Sequence, residues 1–276
     1  MILVTGTAGN VGGELVAALA EAGQPVRALT RSAEPGRFPP GVEVVAGDLN
    51  DPASLRPVLE GADGVFLLPG YADMPGVHAE ARRAGVRTVV QLSGMSAGSG
   101  DMSNAITAYM AMSEQAARES GVGWTIVRPA MFMTNAFQWL PQLRAGDLVR
   151  APFGRVRAAV TDPADIAAVA ARALTAPGHE ERVYEVSGPE SLTAGDRVAI
   201  LGQVLGRDLR FEAQTDEEAR AEMSATTPAK YMDAFFDFYV AGALDESKVL
   251  PTVLEVTGRA PRTFAQWAAA HASAFR

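Results

Sequence analysis

A glycine-rich segment near the start of the chain carries the clearest chemical signal. It reads Thr5-Gly6-Thr7-Ala8-Gly9-Asn10-Val11-Gly12-Gly13. Glycine permits a tight turn and lets backbone N–H groups approach an anion closely, and a helix that begins there presents unpaired donors. An apolar strand precedes the segment and an amphipathic helix follows it, although the spacing differs from G-x-G-x-x-G. The segment predicts a pyrophosphate cradle for a dinucleotide; the alternative is a turn that only packs a helix on a strand.

The ends of the next two predicted strands bear on which dinucleotide binds. An NAD site usually places Asp or Glu about 20 residues beyond the glycines, to accept the ribose 2′-hydroxyl. This chain has Arg31 there, with Arg37 a few residues later. A guanidinium suits a 2′-phosphate, so Arg31 predicts NADP(H), with a solvated surface arginine as the alternative. Asp48 and Leu49 follow the third strand and are expected beside the adenine; Asp48 equally suits a turn or a helix cap.

The elements that position these residues alternate through the first half of the chain. Strands are predicted at 2–5, 25–30, 42–46, 64–68, 88–92 and 124–127, and helices at 11–22, 52–60, 75–84 and 105–120. Strands that are apolar on both faces and separated by helices indicate a parallel sheet covered on both sides. The predicted fold class is α/β, a Rossmann-type doubly wound parallel sheet, with residues 1–150 as the NADP(H)-binding domain.

The second half of the chain reads as a smaller, mostly helical lobe. Helices are predicted at 161–173, 193–205, 216–224, 229–243 and 264–272, with one short strand at 182–186. We expect residues 151–276 to form most of a substrate-binding lobe that leans on the carboxyl ends of the strands. That boundary is approximate, because the two lobes are expected to interleave.

Several segments of the chain carry a shared family pattern: the T-G-x-x-G-x-V-G opening, Arg31, and the segments 114–121, 124–129, 161–167 and 257–264. Together they resemble the NmrA-like branch of the atypical short-chain dehydrogenase/reductases. The resemblance spans nearly the whole chain. It implies a Rossmann domain, NADP(H) binding and a small C-terminal lobe over a substrate cleft. Members of that branch include quinone, ether and alkene reductases and also redox-sensing regulators without catalytic activity.

The catalytic pair of the wider superfamily is missing from this chain. That pair is a Tyr-x-x-x-Lys on the helix after the fifth strand, in which the lysine lowers the pKa of the proton-donating tyrosine. Alignment on Glu114 places Ile106 at the tyrosine position and Met110 at the lysine position. No lysine precedes Lys230 in the sequence. Proton donation must therefore come from another group or from water.

Two other side chains are candidate catalytic residues. Tyr109 lies on the same predicted helix, with a core or surface tyrosine as the alternative. Ser93 ends the fifth strand, where reductases of the superfamily keep a substrate-binding serine; a turn serine is equally consistent. His78 is expected to be solvated on the preceding helix.

An aromatic and methionine set is expected to line the substrate pocket. Its members are Met95, Met131, Phe132, Met133, Phe153, Met223, Phe235, Phe236 and Tyr239. Such side chains could enclose a flat hydrophobic ligand, while ordinary core between the lobes is the alternative for each. Asn135 is a polar candidate near the same cleft, or a cap for the helix that follows.

Composition narrows the classes of partner. The formal net charge of −8 argues against nucleic-acid binding, which needs many Lys/Arg contacts to phosphates. No apolar run approaches the roughly 20 residues of a membrane helix, and no signal peptide opens the chain, so a cytoplasmic location is expected. The chain has no cysteine and its three histidines are far apart, so no metal site is expected. The oligomeric state is left open.

The sequence leaves two hypotheses for function. The first is an NADPH-dependent reductase of a hydrophobic quinone-like, enone or carbonyl compound, which tolerates the missing pair because an electron-poor acceptor needs little acid assistance. The second is a non-catalytic NADP(H)-sensing regulator that binds a protein partner. The aromatic pocket favours the first, because it suits a small molecule.

Overall fold

The computed structural model describes residues 1–31 and 38–275. Its strands are β1 (Ile2–Val4), β2 (Val26–Thr30), β3 (Glu43–Ala46), β4 (Gly64–Leu67), β5 (Thr88–Leu92), β6 (Gly123–Pro129), β7 (Leu148–Ala151), β8 (Arg182–Val186) and β9 (Arg210–Ala213). Its α-helices are α1 (Asn10–Glu21), α2 (Arg56–Leu59), α3 (Met74–Arg83), α4 (Ala105–Glu119), α5 (Leu140–Ala145), α6 (Pro163–Thr175), α7 (Ala194–Leu205), α8 (Asp216–Ser224), α9 (Ala229–Tyr239), α10 (Thr252–Thr257) and α11 (Phe264–Ala270). No described helix has the length and apolar character needed to cross a bilayer.

Within the described residues, seven strands form one parallel sheet in the order β3-β2-β1-β4-β5-β6-β8. The chain begins in the interior of the sheet at β1, proceeds to β3 on one side, and then returns to β4 on the other side of β1. This reversal opens a crevice at the carboxyl ends of β1 and β4, which is where doubly wound sheets bind ligands. The predicted Rossmann-type α/β class is confirmed.

Helices cover both faces of this sheet. On one face α1 and α6 pack together and bury side chains such as Val4 and Phe66. On the other face α2 and α3 bury Leu3 and Val65. Successive strand residues point to opposite faces, so both faces of β1 and β4 are apolar.

The smaller lobe contains a two-stranded parallel sheet that the sequence did not predict. β7 pairs with β9 in register from Leu148 opposite Arg210 to Ala151 opposite Ala213, and β9 packs on α7. Each strand has four residues, and most of their side chains are partly or fully exposed. Each strand is too short to show a clear alternating pattern in the sequence. Their pairing also joins distant parts of the chain, so neighbouring residues give no sign of it.

Other boundaries in the second half also differ from the predicted ones. α9 ends at Tyr239 rather than at residue 243, because the chain turns at Gly242, whose φ is +79°. α10 lies in a stretch for which no helix was predicted. Two elements that follow residue 150 are part of the larger unit. β8 pairs with β6 in the large sheet, and α6 packs against the face of that sheet. The division into lobes near residue 150 stays a prediction.

His78 is buried, which corrects the expectation that it is solvated. The side chain points inward from α3 and is 1% exposed. Among the described residues, neither ring nitrogen has a hydrogen-bond partner. Burial lowers the pKa of His78 to about 4, although Gln91 opposes this effect. The folded protein therefore holds a neutral imidazole here at pH values where an unfolded chain would bind a proton.

We predict that this histidine weakens the fold in acid. Between about pH 6.5 and pH 4, His78 binds a proton in the unfolded state but stays neutral in the folded state. The free energy of unfolding therefore falls by up to about 1.4 kcal/mol for each unit that the pH is lowered. His78→Leu cannot take up that proton. Urea unfolding at a series of pH values should show the variant gaining stability relative to the natural protein as the pH falls below 6.5. The difference in the free energy of unfolding between the two proteins should be constant from pH 7 to 8, which serves as the internal control. If that difference were constant at all pH values, His78 would not have the lowered pKa assigned to it.

Candidate functional site

The glycine-rich turn brings the start of α1 against the end of β1. Gly6 has a φ of +63°, and the Gly9 N–H donates to Gly6 O at 2.8 Å. A Cβ atom on Gly12 would lie 2.4 Å from Gly6 O, so α1 can approach this closely because residue 12 is glycine. The N-cap residue Gly9 has no side chain to cap the helix. The N–H groups of the first turn are thus available to an anion, and the turn fits a dinucleotide pyrophosphate.

Other side chains of this segment hold the turn in place. The Thr7 hydroxyl donates to Leu29 O at 2.9 Å and ties the turn to β2. Asn10 Nδ2 donates to Thr134 Oγ1 at 3.0 Å and ties the start of α1 to a segment beyond β6. Val11 is buried in the core between α1 and the sheet. These side chains therefore support the cradle.

A cleft of about 400 Å³ lies beside the turn at the ends of β2 and β3. Its walls come from separate parts of the chain: Gly6, Thr7, Ala8, Leu29, Thr30, Arg31, Gly47, Asp48, Leu49, Asn50 and Tyr71. The structure thus brings Arg31, Asp48 and Leu49 together with the glycine turn. Asp48 Oδ1 also accepts the Asn50 N–H at 2.9 Å, so this carboxylate has a role in its own turn as well. Arg37 lies outside the described residues.

Tyr71 lines the same cleft, although the sequence did not single it out. It follows β4 after Leu68-Pro69-Gly70, at the edge of the sheet where the other cleft residues lie. Burial raises the pKa of its phenol, the negative charge of Asp48 raises it further, and Arg31 lowers it. These influences place Tyr71 near both charged side chains. The sequence could have indicated this residue, because Tyr71 lies just past the end of a predicted strand, where ligand-binding residues of such sheets lie.

Apolar side chains lie at the two positions of α4 that the sequence analysis predicts for the superfamily's Tyr-x-x-x-Lys pair. Ile106 and Met110 are half-buried there, and a Cβ atom on Gly94 would lie 3.5 Å from Met110 Cε. Tyr109 is half-buried beside them, with its ring edge-on to Tyr231 at a centroid distance of 6.4 Å. Burial and the neighbouring Tyr231 raise the pKa of Tyr109. This phenol therefore keeps its proton at neutral pH.

Ser93 is anchored inside the structure, and its predicted contact with a substrate stays a prediction. The residue is 3% exposed and its hydroxyl donates to Glu114 Oε1 at 2.7 Å. Arg128 donates to both oxygens of Glu114, each at 2.7 Å. Burial acts to raise the pKa of Glu114, but these donors outweigh it and the pKa is lowered. The ionised carboxylate joins the end of β5 to α4 and β6.

A second cavity, of about 580 Å³, lies in the C-terminal lobe. Six of the predicted pocket residues line it: Met131, Asn135, Phe153, Met223, Phe235 and Tyr239. The three aromatic rings pack on one another, with Phe153 5.2 Å from Tyr239 and Phe235 stacked 6.3 Å from the same ring. The arrangement provides an apolar surface for a flat ligand.

Four other predicted pocket residues do not line this cavity. Phe236 is buried and packs edge-on against Phe153, with the ring centroids 5.2 Å apart. Met133 is 1% exposed and packs inside the core of the C-terminal lobe. Phe132 packs against the core between α1, α6 and the large sheet. Met95 begins a short 3₁₀ helix after β5. Sequence alone could not separate apolar residues that face a cavity from neighbours that fill a core.

Two buried ionisable groups that the sequence analysis missed, Arg197 and Glu246, lie in or next to this cavity. The Tyr239 phenol donates to Glu246 Oε2 at 2.9 Å, and Arg197 lines the cavity as well. Burial raises the pKa of Glu246 and, together with the Glu246 carboxylate, raises that of Tyr239. Burial lowers the pKa of Arg197 to about 10. In the described part of the chain, no group of three or more His, Asp or Glu side chains could hold a metal ion.

A family of NAD(P)H-binding proteins matches residues 6–177, from the first glycine of the turn to the end of α6. The chain belongs to this family. NAD(P)H binding and the resemblance to the NmrA-like atypical short-chain dehydrogenase/reductases are confirmed.

Similar proteins extend over the whole chain. It is 46% identical to the (4-alkanoyl-5-oxo-2,5-dihydrofuran-3-yl)methyl phosphate reductase of Streptomyces griseus, over 100% of this chain and 99% of the relative. It is 38% identical to the NAD(P)H azoreductase of Xenophilus azovorans, with the same coverage. Among solved structures, the NADPH-dependent quinone oxidoreductase QOR2 of Escherichia coli shares the fold, with a TM-score of 0.79 at 22% identity, covering 98% of this chain and 99% of that one.

We predict that Arg31 distinguishes NADPH from NADH. A charge-assisted contact to the 2′-phosphate is worth roughly 1.5–3 kcal/mol, so Arg31→Ala should weaken NADPH binding about tenfold or more and leave NADH binding nearly unchanged. Calorimetric titration with each cofactor measures both affinities. Arg144→Ala removes the same charge from an exposed position in α5 and is the matched control. Equal losses for the two cofactors in Arg31→Ala would contradict the assignment.

Proposed function

We propose that the protein is an NADPH-dependent reductase that transfers hydride to an electron-poor, conjugated double bond in a hydrophobic acceptor. Quinones, enones and related carbonyl compounds form the acceptor class. The observation that carries the proposal is the combination of a cofactor cleft at the strand ends with a separate aromatic cavity. The two relatives named above support it, because one reduces an alkanoyl dihydrofuranone and the other is an azoreductase.

NADPH is proposed as the reductant because Arg31 stands at the end of β2, where an NAD site has a carboxylate. The glycine turn would hold the pyrophosphate on the first turn of α1. Arg31 would face the 2′-phosphate, and Asp48, Leu49 and Tyr71 would surround the adenosine end of the cleft. When bound, NADPH supplies the hydride.

The residues on α4 limit which acceptors can react. A simple ketone becomes an alkoxide when it accepts hydride and needs a strong proton donor, which the superfamily supplies through Tyr-x-x-x-Lys. Here that place holds Ile106 and Met110, and Tyr109 has no lysine to lower its pKa. A conjugated acceptor instead places the negative charge on an enolate or phenolate oxygen, which is a weaker base that water can protonate. Orientation beside the nicotinamide then supplies much of the rate acceleration.

We predict a graded response across acceptors. Purified protein with NADPH should reduce quinones or enones, and it should reduce simple ketones about 10²–10⁴-fold more slowly, because the proton donor is missing. Decay of NADPH absorbance measures each rate. Tyr109→Phe should keep most of the activity, because water can protonate the product. This substitution removes only the hydroxyl and keeps the ring that packs on Tyr231, so any loss of activity would be due to the hydroxyl.

Two outcomes would overturn this account. Fast reduction of plain ketones would show that a strong proton donor exists and that the argument from α4 is wrong. No oxidation of NADPH by any acceptor, together with capture of a protein partner that depends on the oxidation state of the cofactor, would favour the non-catalytic sensor.

A further inference from the structure

One arginine in the cavity of the C-terminal lobe makes no ion pair with any of the described residues. Arg197 lies on α7, lines the cavity and is 7% exposed. Its Nε donates to Thr193 O at 3.3 Å, and its guanidinium carbon lies 5.5 Å from the centre of the Trp139 ring. Across residues 1–31 and 38–275, Arg197 makes no ion pair and its terminal nitrogens make no hydrogen bond. A buried guanidinium in this state is costly to hold in a folded protein.

A second arginine at the same cavity shows the usual arrangement. Arg150 Nε lies 3.0 Å from Glu212, and its Nη2 lies 2.9 Å from Glu218. Glu222 lies 3.8 Å away as a third partner. Arg150 is therefore paired directly with carboxylates, whereas no carboxylate of the described residues forms an ion pair with Arg197.

Glu246 lies close enough to Arg197 for each charge to affect the other, but in the described structure the two form no ion pair. Glu246 Oε2 instead accepts the Tyr239 hydroxyl at 2.9 Å. Burial raises the pKa of Glu246, while Arg197 acts to lower it. A negative charge brought into the cavity by a ligand could therefore meet the Arg197 guanidinium without displacing an ion pair.

Uncharged donors lie on a second wall of the cavity. Asn135 and Gln138 belong to the 3₁₀ helix Met133–Trp139, in which side chains three residues apart lie on the same face. Both line the cavity. Amide N–H₂ groups can donate to oxygens of an anion without adding a competing charge. One cation with two neutral amides is a donor set that suits an oxyanion.

We propose that Arg197 binds an oxyanionic group of the acceptor, a phosphate monoester or a carboxylate, with Asn135 and Gln138 as neutral donors. The aromatic surface of Phe153 and Phe235 would then hold the apolar part of the same molecule. The protein would select acceptors that join an apolar conjugated body to an anionic end. Naming this ligand as the acceptor rests on the proposed function, while the anion site itself does not.

Binding of simple probes tests the site without any turnover. The probes are phenyl phosphate, phenylacetate and neutral benzyl alcohol, titrated calorimetrically in the presence of saturating NADP⁺ so that the phosphate cradle is occupied. At least one anionic probe should bind about tenfold or more tightly than benzyl alcohol, and the stronger anion identifies the group that the site prefers. Arg197→Met should lose about tenfold or more of that affinity. Arg150→Met, the matched control in the same cavity, should lose less than about threefold.

Arg197→Lys keeps the charge but not the two-pronged geometry of a guanidinium. It should bind the preferred anion more weakly than the natural protein and more tightly than Arg197→Met. NADP⁺ affinity and the thermal midpoint identify variants that are still folded. If folded Arg197→Met or Arg197→Lys binds both anions like the natural protein, or if benzyl alcohol binds as tightly as the anions, the proposal is wrong. Anion binding that depends on Arg197 without NADPH oxidation by any acceptor would support the site and refute the reductase.

Discussion

The close contact between Gly12 and the carbonyl of Gly6 is the constraint on which the binding region depends. A side chain at residue 12 would place its Cβ 2.4 Å from that oxygen, so α1 could not sit as it does on the end of β1. Because β1 lies where the strand order reverses, this contact places the start of α1 at the crevice of the sheet. The ends of β2, β3 and β4 then bring Arg31, Asp48 and Tyr71 to the same edge.

Two buried carboxylates hold α4 and the C-terminal tail in position. Glu114 on α4 accepts hydrogen bonds from Ser93 and Arg128, and so joins that helix to the ends of two strands. Asp165 on α6 accepts Arg259 Nη1 at 2.6 Å and the backbone N–H of Arg262 at 2.8 Å, and so fixes the C-terminal tail. A buried carboxylate that lost its donors would cost several kcal/mol, so these contacts specify where α4 and the tail lie. These parts of the family resemblance therefore serve the architecture rather than the chemistry.

The sequence predicted features that depend on neighbouring residues and missed those that depend on distant ones. The glycine turn and the strand at 182–186 were found because a turn motif and a short stretch rich in valine and tyrosine are visible within a few residues. Arg197 and Glu246 were missed because each looks like an ordinary surface charge until folding brings α7 and the segment after α9 to one cavity. His78 was placed in solvent because its helix also carries Glu80, Arg82 and Arg83, which suggest an exposed surface. Glu80 is in fact buried, because Arg56 and Arg83 pair with its carboxylate. A charged residue on this helix is therefore not a sign of an exposed surface.

The central claim is that hydride moves directly from NADPH to a carbon atom of a conjugated acceptor held by this chain. The most direct measurement uses NADPH deuterated at the transferable position of its nicotinamide, an enone that the protein reduces, and mass spectrometry with NMR of the product. The account predicts deuterium bonded to carbon at the position conjugated with the carbonyl group, and slower turnover than with unlabelled NADPH. A product that contains no deuterium while the labelled cofactor is consumed would contradict it.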